Sequence, residues 1–239
     1  MNDNLITFNH AKSPVSESYR MLRTNLQYLN IDKEHKSIVV TSANKAEGKT
    51  TTLSNLAITM AQAGNKVLLV ECDLRKPRIH KTFDVKNDLG ITNIIVDNKQ
   101  VEEVVNVIDK VPNLSVMQAG PIPPNPAEIL ESQAMKNLVE KLGKMYDIVL
   151  FDAPPVCSVT DAAILSRITD GVILVVSSGG TNIESTKLAK KLLDKVGANI
   201  LGVVLTKADT SRTGAYSYYY DDYYVENDNN KKKKRRKSS

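Results

Sequence analysis

A lysine and two aspartates in this sequence each lie close to the end of a short apolar run: Lys49, Asp73 and Asp152. A cation and two carboxylates are the groups that bind a phosphate chain together with its Mg²⁺ ion. The apolar runs have the composition of buried strands, and parallel sheets place their ligands at the carboxyl ends of strands. These three residues are therefore the first candidates for a nucleotide-phosphate site.

The segment around Lys49 predicts a phosphate-binding loop. The β-branched run Ile38–Thr41 is followed by a small polar loop, and Gly48-Lys49-Thr50 then opens a helical pattern. Backbone N–H groups at a helix start attract anions, and Gly48 lets the backbone approach the phosphates. We expect Lys49 to reach the β- and γ-phosphates and Thr50 to bind Mg²⁺. The residues predicted to contact the nucleotide are Ala43, Asn44, Lys45, Ala46, Glu47, Gly48, Lys49, Thr50 and Thr51.

This loop departs from the strict phosphate-loop pattern, in which four residues separate a first glycine from Gly-Lys-Ser/Thr. Ala43 occupies that first position. An ordinary turn before a helix with a surface lysine is therefore the alternative.

Acidic residues at two other strand ends favour the phosphate-binding interpretation. The run Lys66–Cys72 ends in Glu71 and Asp73, and the run Ile148–Phe151 ends in Asp152 before a Pro-Pro turn. A buried carboxylate is costly unless it is paired or bound to a metal. Asp152 therefore fits a Walker B aspartate that holds Mg²⁺, Asp73 is expected to face the nucleotide, and Glu71 is a weaker metal candidate. A turn aspartate is the alternative interpretation for Asp73 and Asp152.

Alternating helical and apolar segments predict the fold class. Further strands are expected at 113–118, 171–177 and 199–205, helices at 126–146, 161–168 and 181–196, and a loop with short helices over 78–113. Repeated strand–helix units predict an α/β, P-loop NTPase-like fold, in which a mostly parallel sheet is covered by helices on both faces.

Composition and charge limit the classes of protein to consider. The 239 residues suit one α/β domain, and no apolar run approaches the ~20 residues that span a bilayer. Cys72 and Cys157 form neither a disulfide framework nor a metal-site spacing, which fits a reducing cytoplasm. Of the formal charge of +5, seven charges come from Lys231–Lys237, so that the remainder carries −2. We therefore expect no nucleic-acid partner.

Three regions are expected along the chain. Residues 1–13 are polar and predicted to be flexible, residues 14–210 to form the P-loop domain, and residues 211–239, which have few aliphatic side chains, to be disordered. The last region holds six of the nine tyrosines, namely Tyr216, Tyr218, Tyr219, Tyr220, Tyr223 and Tyr224. Phenols beside acidic residues suit phosphorylation by a tyrosine kinase, and a β-prone, self-associating segment is the alternative.

A helix at about 14–30 carries a charged stripe of Glu17, Arg20 and Arg23 at a spacing of three. From spacing alone, a solvated face with weak local ion pairs is favoured over a contact between subunits.

The chain resembles bacterial protein-tyrosine kinases (BY-kinases) of capsular and exopolysaccharide biosynthesis. It is similar to their cytoplasmic catalytic subunit, which works with a separate transmembrane activator, from about Pro14 to the tyrosine cluster. The matching segments occur in the same order and are ESYRMLR, TSANKAEGKTTT, LLVECDLRKP, GPIPPNP, VLFDAPP, GVVL and the tyrosines. The eukaryotic kinase sequences H-R-D and D-F-G are absent.

This resemblance implies catalysis with ATP and Mg²⁺. Lys49 would stabilise the transferring phosphoryl group, and Thr50 and Asp152 would hold Mg²⁺. Asp73 would take the tyrosine proton or help to hold the metal, and Arg75 would assist near the phosphates.

The resemblance also implies partners. The family's E-x-x-R-x-x-R helix maps onto Glu17, Arg20 and Arg23, where it makes contacts between subunits of a homo-oligomeric ring, and this replaces the solvated face as the expectation. In the ring, the tail of one subunit reaches its neighbour's site, so that its tyrosines are phosphorylated in trans. The implied location is the cytoplasm, beside the inner face of the plasma membrane and bound to the activator, which is a polysaccharide co-polymerase subunit.

Two positions depart from the family pattern. Lys45 and Ala46 occupy the place of Pro-Gly, and Glu71 occupies the place of Asp, which moves its carboxylate by one methylene. The basic run Lys231–Lys237 is no family feature, and we expect it to contact an anionic membrane surface; a solvated tail is an equal alternative.

Two other functions remain open from the sequence. A partitioning or cell-division ATPase of the MinD/ParA type usually carries a lysine five positions before the lysine of its loop, and here that position is Asn44. A scaffold that binds nucleotide only to assemble is the second alternative.

Overall fold

Seven strands form one sheet at the centre of the protein. The computed structural model describes residues 2–29 and 34–208. The strands are β1 Ser37–Ser42, β2 Val67–Glu71, β3 Val105–Val107, β4 Leu114–Met117, β5 Ile148–Asp152, β6 Gly171–Ser177 and β7 Ile200–Thr206. Their order in the sheet is β3-β4-β2-β5-β1-β6-β7. Only β3 runs antiparallel to its neighbour.

Helices cover both faces of this sheet. They are α1 Ile6–Asn9, α2 Pro14–Leu29, α3 Lys49–Gln62, α4 Ile79–Phe83, α5 Ile91–Asp97, α6 Val101–Val104, α7 Pro126–Glu131, α8 Gln133–Met145, α9 Asp161–Ser166 and α10 Ile183–Lys195. Successive strand residues point to opposite faces, so that Val39 packs in one apolar core and Val40 in the other. Two cores explain why the central strands are continuously apolar, and the predicted fold class is confirmed.

The strand order brings three loops together. β5 lies between β1 and β2, and its last residue, Asp152, is level with Val40 of β1 and with Glu71 of β2. Because these three strands are parallel, the segments that follow them leave the same edge of the sheet. The phosphate-loop segment, the segment after Glu71 and Asp152 therefore become neighbours although they are far apart in sequence.

The N-terminal segment packs against α3, although its polar composition predicts a flexible segment over residues 1–13. Leu5 is fully buried in the core that α3 faces. The side-chain oxygen of Asn55, in α3, accepts hydrogen bonds from the Thr7 backbone N–H at 3.0 Å and from the Thr7 hydroxyl at 2.9 Å. One buried leucine and one buried amide anchor a segment whose composition is mostly polar.

Two further details differ from the sequence predictions. The single helix expected at 126–146 is two helices, because Ser132 adopts an extended conformation and caps α8 by accepting a hydrogen bond from the N–H of Met135. The region 78–113 contains, besides its short helices, the strand β3, which pairs antiparallel with β4 at the sheet edge. With three residues, β3 is too short for a period-two pattern to reveal it.

Several predictions lie outside the described residues. They concern the disorder of the tail, its six tyrosines and the basic run Lys231–Lys237. Among residues 2–29 and 34–208, no helix is both long and apolar enough to cross a membrane.

Candidate active site

The ammonium group of Lys49 lies between two carboxylates. Lys49 is the first residue of α3, and its Nζ is 3.0 Å from Oδ1 of Asp152 and 3.4 Å from Oδ2 of Asp73. Burial opposes the charge of Lys49, but the carboxylates of Asp152, Asp73 and Glu71 outweigh burial and raise its pKa. Lys49 is therefore a fixed positive charge at neutral pH.

Asp152 and Thr50 place oxygen atoms beside this charge. Asp152 is fully buried at the end of β5, and its Oδ2 accepts a hydrogen bond from the Thr50 hydroxyl at 2.5 Å. Carboxylate and hydroxyl oxygens are ligands that suit Mg²⁺, which keeps several waters and needs few protein ligands. In the described part of the chain, no group of three or more His, Cys, Asp or Glu side chains could hold a metal ion.

The loop before Lys49 has the backbone shape of an anion-binding cradle. Ala46 and Gly48 both have positive φ angles, of 62° and 95°. Turns with left-handed residues direct successive N–H groups into one concavity, and the first N–H groups of α3 have no acceptor within the helix. The loop and the helix start therefore fit a phosphate chain placed next to Lys49.

The side chain of Glu47 braces this loop from inside. The side-chain Oε2 of Glu47 accepts a hydrogen bond from the Ala43 N–H at 3.0 Å, and its Oε1 accepts from the Asn44 amide at 3.2 Å and from the Thr181 hydroxyl at 2.5 Å. The Thr206 hydroxyl donates to the carbonyl of Glu47 at 2.6 Å. Glu47 is predicted from sequence to contact the nucleotide, but its carboxylate holds the loop itself. Sequence reasoning gave neither Thr181 nor Thr206 this bracing role, because no local signal marks a contact with Glu47.

The other loop residues differ in exposure. The side chain of Lys45 is exposed, whereas Ala43 is fully buried and Thr51 is half-buried. A bulky residue in place of Ala43 would therefore collide with the core, which is a physical reason for a small residue at this position.

The segment after β2 brings Asp73 to Lys49. Asp73 is buried, its Oδ1 accepts a hydrogen bond from the Lys76 N–H at 3.0 Å, and its Oδ2 faces Lys49. Glu71 is level with Asp152, but its oxygens accept hydrogen bonds from the N–H groups of Asp73, Arg78 and Ile79. Burial, reinforced by Asp152, raises the pKa of Glu71 to about 8. These backbone groups engage both oxygens of Glu71. Its predicted metal role stays a prediction.

Arg75 is paired with a residue that the sequence predictions omit. Its Nε and Nη2 lie 3.1 and 3.2 Å from the two carboxylate oxygens of Asp161, which is fully buried in the first turn of α9. The Asp161 hydrogen bond raises the pKa of Arg75. Arg75, which the resemblance places near the phosphates, is thus oriented by Asp161. Asp161 is the first residue of α9, and acidic residues at a helix start are too common to single it out in sequence.

The charged stripe of α2 makes contacts within its own chain. Arg20 pairs with Glu17 at 2.7 Å and also donates to the carbonyl of Ala11. Arg23 donates to the carbonyl of Thr59, in α3, at 2.9 Å. The predicted role of these residues in a ring stays a prediction.

The chain is similar to known proteins in sequence and in fold. A family model described as an AAA domain matches residues 35–199. The tyrosine-protein kinase YwqD of Bacillus subtilis is 42% identical over 218 residues, which are 91% of this chain and 92% of YwqD. The crystal structure of the chimerical protein CapA2B2 superposes with a TM-score of 0.82 at 38% identity, over 86% of this chain and 90% of that one.

A more distant likeness concerns the fold alone. The septum site-determining protein MinD of Pyrococcus horikoshii, in complex with Mg-ADP, superposes with a TM-score of 0.61 at 22% identity, over 71% of this chain and 69% of MinD. The nucleotide-binding fold is thus shared more widely than the sequence. The identity and coverage of the kinase relative show that this chain belongs to the bacterial tyrosine-protein kinases.

Proposed function

We propose that this protein transfers the γ-phosphoryl group of ATP to tyrosine hydroxyls, first to those of its own C-terminal cluster, Tyr216–Tyr224. One observation carries the proposal: the ammonium group of Lys49 is held between the buried carboxylates of Asp152 and Asp73 at the start of α3. Phosphoryl transfer is catalysed mainly by positioning and charge stabilisation, and this arrangement supplies both.

Each side chain has a distinct role in the transfer. The backbone of residues 43–51 holds the phosphates, and Lys49 neutralises charge on the transferring group. Thr50 and Asp152 would hold Mg²⁺, which when bound neutralises charge on the phosphate oxygens. The phenol oxygen forms a bond to the γ-phosphorus, the bond to the β,γ-bridging oxygen breaks, ADP leaves, and the phenolic proton passes to Asp73. Asp73 suits this role because its Oδ2 faces Lys49, beside the place proposed for the transferring phosphoryl group.

The assembly that we propose is a ring of identical subunits bound to a transmembrane activator at the inner face of the plasma membrane. In this ring, Glu17, Arg20 and Arg23 meet the neighbouring subunit, and the tail of one subunit enters the next site. We propose that the phosphorylation state of the tail regulates the synthesis and export of capsular or exopolysaccharide. Other protein tyrosines are further substrates.

The basic run Lys231–Lys237 suggests a charge switch in the tail. Each phosphotyrosine adds about −1.5 to −2 charges, whereas each Lys or Arg gains about 1 kcal/mol at an anionic surface. The unphosphorylated tail would bind the membrane, and the phosphorylated tail would leave it. Sedimentation with anionic vesicles tests this switch, and equal binding of the two forms would rule it out.

Intact mass after incubation with Mg-ATP tests the kinase function. We expect a series of ~80 Da additions on Tyr216–Tyr224 in the wild type and in Lys141→Met, which replaces an exposed lysine of α8, and none in Lys49→Met. Phosphorylation of an inactive Lys49→Met chain by an active chain without tail tyrosines would support transfer in trans.

Other results would favour the alternatives. ATP hydrolysis without phosphotyrosine, with an activator fragment present, would indicate a MinD/ParA-like ATPase. Nucleotide binding with neither reaction under the same conditions would indicate a scaffold.

A further inference from the structure

The segment Cys72–Arg78 carries Asp73 and Arg75 but contains neither helix nor strand. It joins the end of β2 to the start of α4. A segment of this kind has no regular hydrogen-bond ladder, so that other groups must hold its backbone in place. Two buried carboxylates, Glu71 and Asp161, supply these contacts.

Glu71 binds both ends of the segment. Its Oε1 accepts a hydrogen bond from the Asp73 N–H at 3.2 Å, and its Oε2 accepts from the N–H groups of Arg78 at 2.6 Å and Ile79 at 2.9 Å. The side chain is 1% exposed, so that water cannot replace these bonds. The Glu71 side chain thus links the backbone of Asp73 to the backbone of Arg78 and Ile79.

Asp161 holds the middle of the segment. Both of its oxygens accept hydrogen bonds from the guanidinium group of Arg75, and paired bonds of this kind fix the direction of an arginine. Asp161 is fully buried, whereas the Arg75 side chain is 40% exposed. The contact therefore ties an otherwise accessible arginine to α9.

We infer that Glu71 and Asp161 are positioning residues that hold the segment Cys72–Arg78 so that Asp73 faces Lys49. The inference rests on the proposed kinase function only for its effect on the rate. This positioning role differs from the metal role predicted for Glu71, because both oxygens of the side chain accept hydrogen bonds from backbone N–H groups.

Trypsin cleavage tests whether this segment is held in place, and the test needs no nucleotide, no metal and no kinase activity. Its cleavage sites there are the peptide bonds Arg75–Lys76 and Arg78–Ile79, since Lys76 precedes proline. Cleavage tracks the population of the opened segment. With its three acceptor bonds removed, Glu71→Leu should raise cleavage at Arg78–Ile79 at least about tenfold, whereas Glu71→Gln, which keeps an acceptor oxygen, should stay within about threefold of the wild type.

Asp161→Asn tests the other contact and does not depend on the folding of Glu71→Leu. The amide keeps one acceptor oxygen but loses the charge and one of the two bonds to the guanidinium group, so that Arg75 is held less firmly and cleavage at Arg75–Lys76 should rise about tenfold. Glu103→Leu is the matched control, because Glu103 also accepts a backbone N–H bond, from Gln100, but lies on α6. Cleavage after Lys190, in α10, is the internal reference.

Kinetics separate positioning from metal binding. In Glu71→Leu and Asp161→Asn, kcat for tail phosphorylation should fall, whereas Glu71→Gln should stay close to the wild type. In all three variants KM for Mg-ATP and the Mg²⁺ concentration at half-saturation of ADP binding should stay unchanged. A raised Mg²⁺ requirement in Glu71→Gln would overturn the inference and assign Glu71 to the metal. Unchanged cleavage in folded Glu71→Leu and Asp161→Asn would also overturn it. A wild type that lacks kinase activity would instead refute the proposed function and leave the trypsin result to decide.

Discussion

The Nζ of Lys49 lies 3.0 Å from Oδ1 of Asp152, a residue 103 positions away in the chain. The contact forms because β5 pairs with β1, whose following loop leads into α3. A buried ion pair costs desolvation free energy to form, and removing one partner leaves an uncompensated buried charge. Its position at the edge where three parallel strands end indicates a binding function.

Asp152→Asn should weaken the response of nucleotide binding to Mg²⁺. The amide keeps the shape of the side chain but removes the charge that would hold the metal with Thr50. We expect the Mg²⁺ concentration at half-saturation of ADP binding to rise about tenfold or more, measured by fluorescence of a labelled ADP. Asp109→Asn, on an exposed residue, is the control. An unchanged Mg²⁺ response in Asp152→Asn would remove Asp152 from the metal site.

Thr181→Val should destabilise the phosphate loop. The hydroxyl of Thr181 donates the shorter of the two hydrogen bonds that Oε1 of Glu47 accepts, and the loss of a partner by a buried acceptor costs about 1–3 kcal/mol. We expect a loss of that size in urea unfolding together with weaker ADP binding. Thr186→Val serves as the matched control, because the hydroxyl of Thr186, in α10, donates a hydrogen bond to the carbonyl of Asn182. Equal effects of the two variants would contradict the bracing role of Glu47.

Ala46→Gly should stabilise the protein without nucleotide. Ala46 has a φ of 62°, and a left-handed conformation costs about 1–2 kcal/mol for a residue with a Cβ atom. A gain of about 1 kcal/mol would raise Tm by roughly 2–4 °C in a chain of this size, measured by calorimetry. Ala63→Gly, at a φ of −84°, should not stabilise. A lower Tm in Ala46→Gly would show that the loop carries no such strain.

Arg23→Ala should destabilise the protein more than Arg20→Ala. Arg23 reaches from α2 to the part-buried carbonyl of Thr59 in α3. Arg20 donates to the exposed carbonyl of Ala11 and is in a partly exposed pair with Glu17 that is worth at most about 1 kcal/mol. Urea unfolding measures stability, and sedimentation at the same concentration measures assembly. Loss of assembly in both variants with unequal stability is the expected pattern. If the two variants differ in stability but both still assemble, Arg20 and Arg23 act only within one subunit.

Cys72 should resist alkylation in the folded protein. Burial raises its pKa far above the ordinary value, and the neighbouring carboxylates of Glu71 and Asp152 add to this effect. A raised thiol pKa means that the reactive thiolate is absent at neutral pH and forms only as the pH rises. Between about pH 7 and 9, iodoacetamide should label only Cys157, and both cysteines should react in urea. Cys157→Ser isolates the Cys72 signal, and labelling of native Cys72 near pH 7 would contradict this prediction.

The sequence by itself determined the sheet, the loop and the chemistry of the site. Apolar runs of strand length, the turn before Lys49, and acids at the ends of the runs at Glu71 and Asp152 are local features that a pattern records. The same patterns failed where a single contact decides the structure. Leu5 and Asn55 pack a polar N-terminal segment, and Ser132 divides a helix that looks continuous.

Tertiary structure alone decided which groups hold the site in place. Glu47, Thr181 and Thr206 meet because Thr181 follows β6 and Thr206 ends β7, and in the sheet β6 lies beside β1 and β7 beside β6. Arg75 meets Asp161 because α9 follows β5. Hydrogen bonds between residues 86 to 159 positions apart leave no local periodicity, and their partners are residue types common in every loop. Local spacing therefore specifies the groups that react, and the packing of distant elements specifies how those groups are aimed.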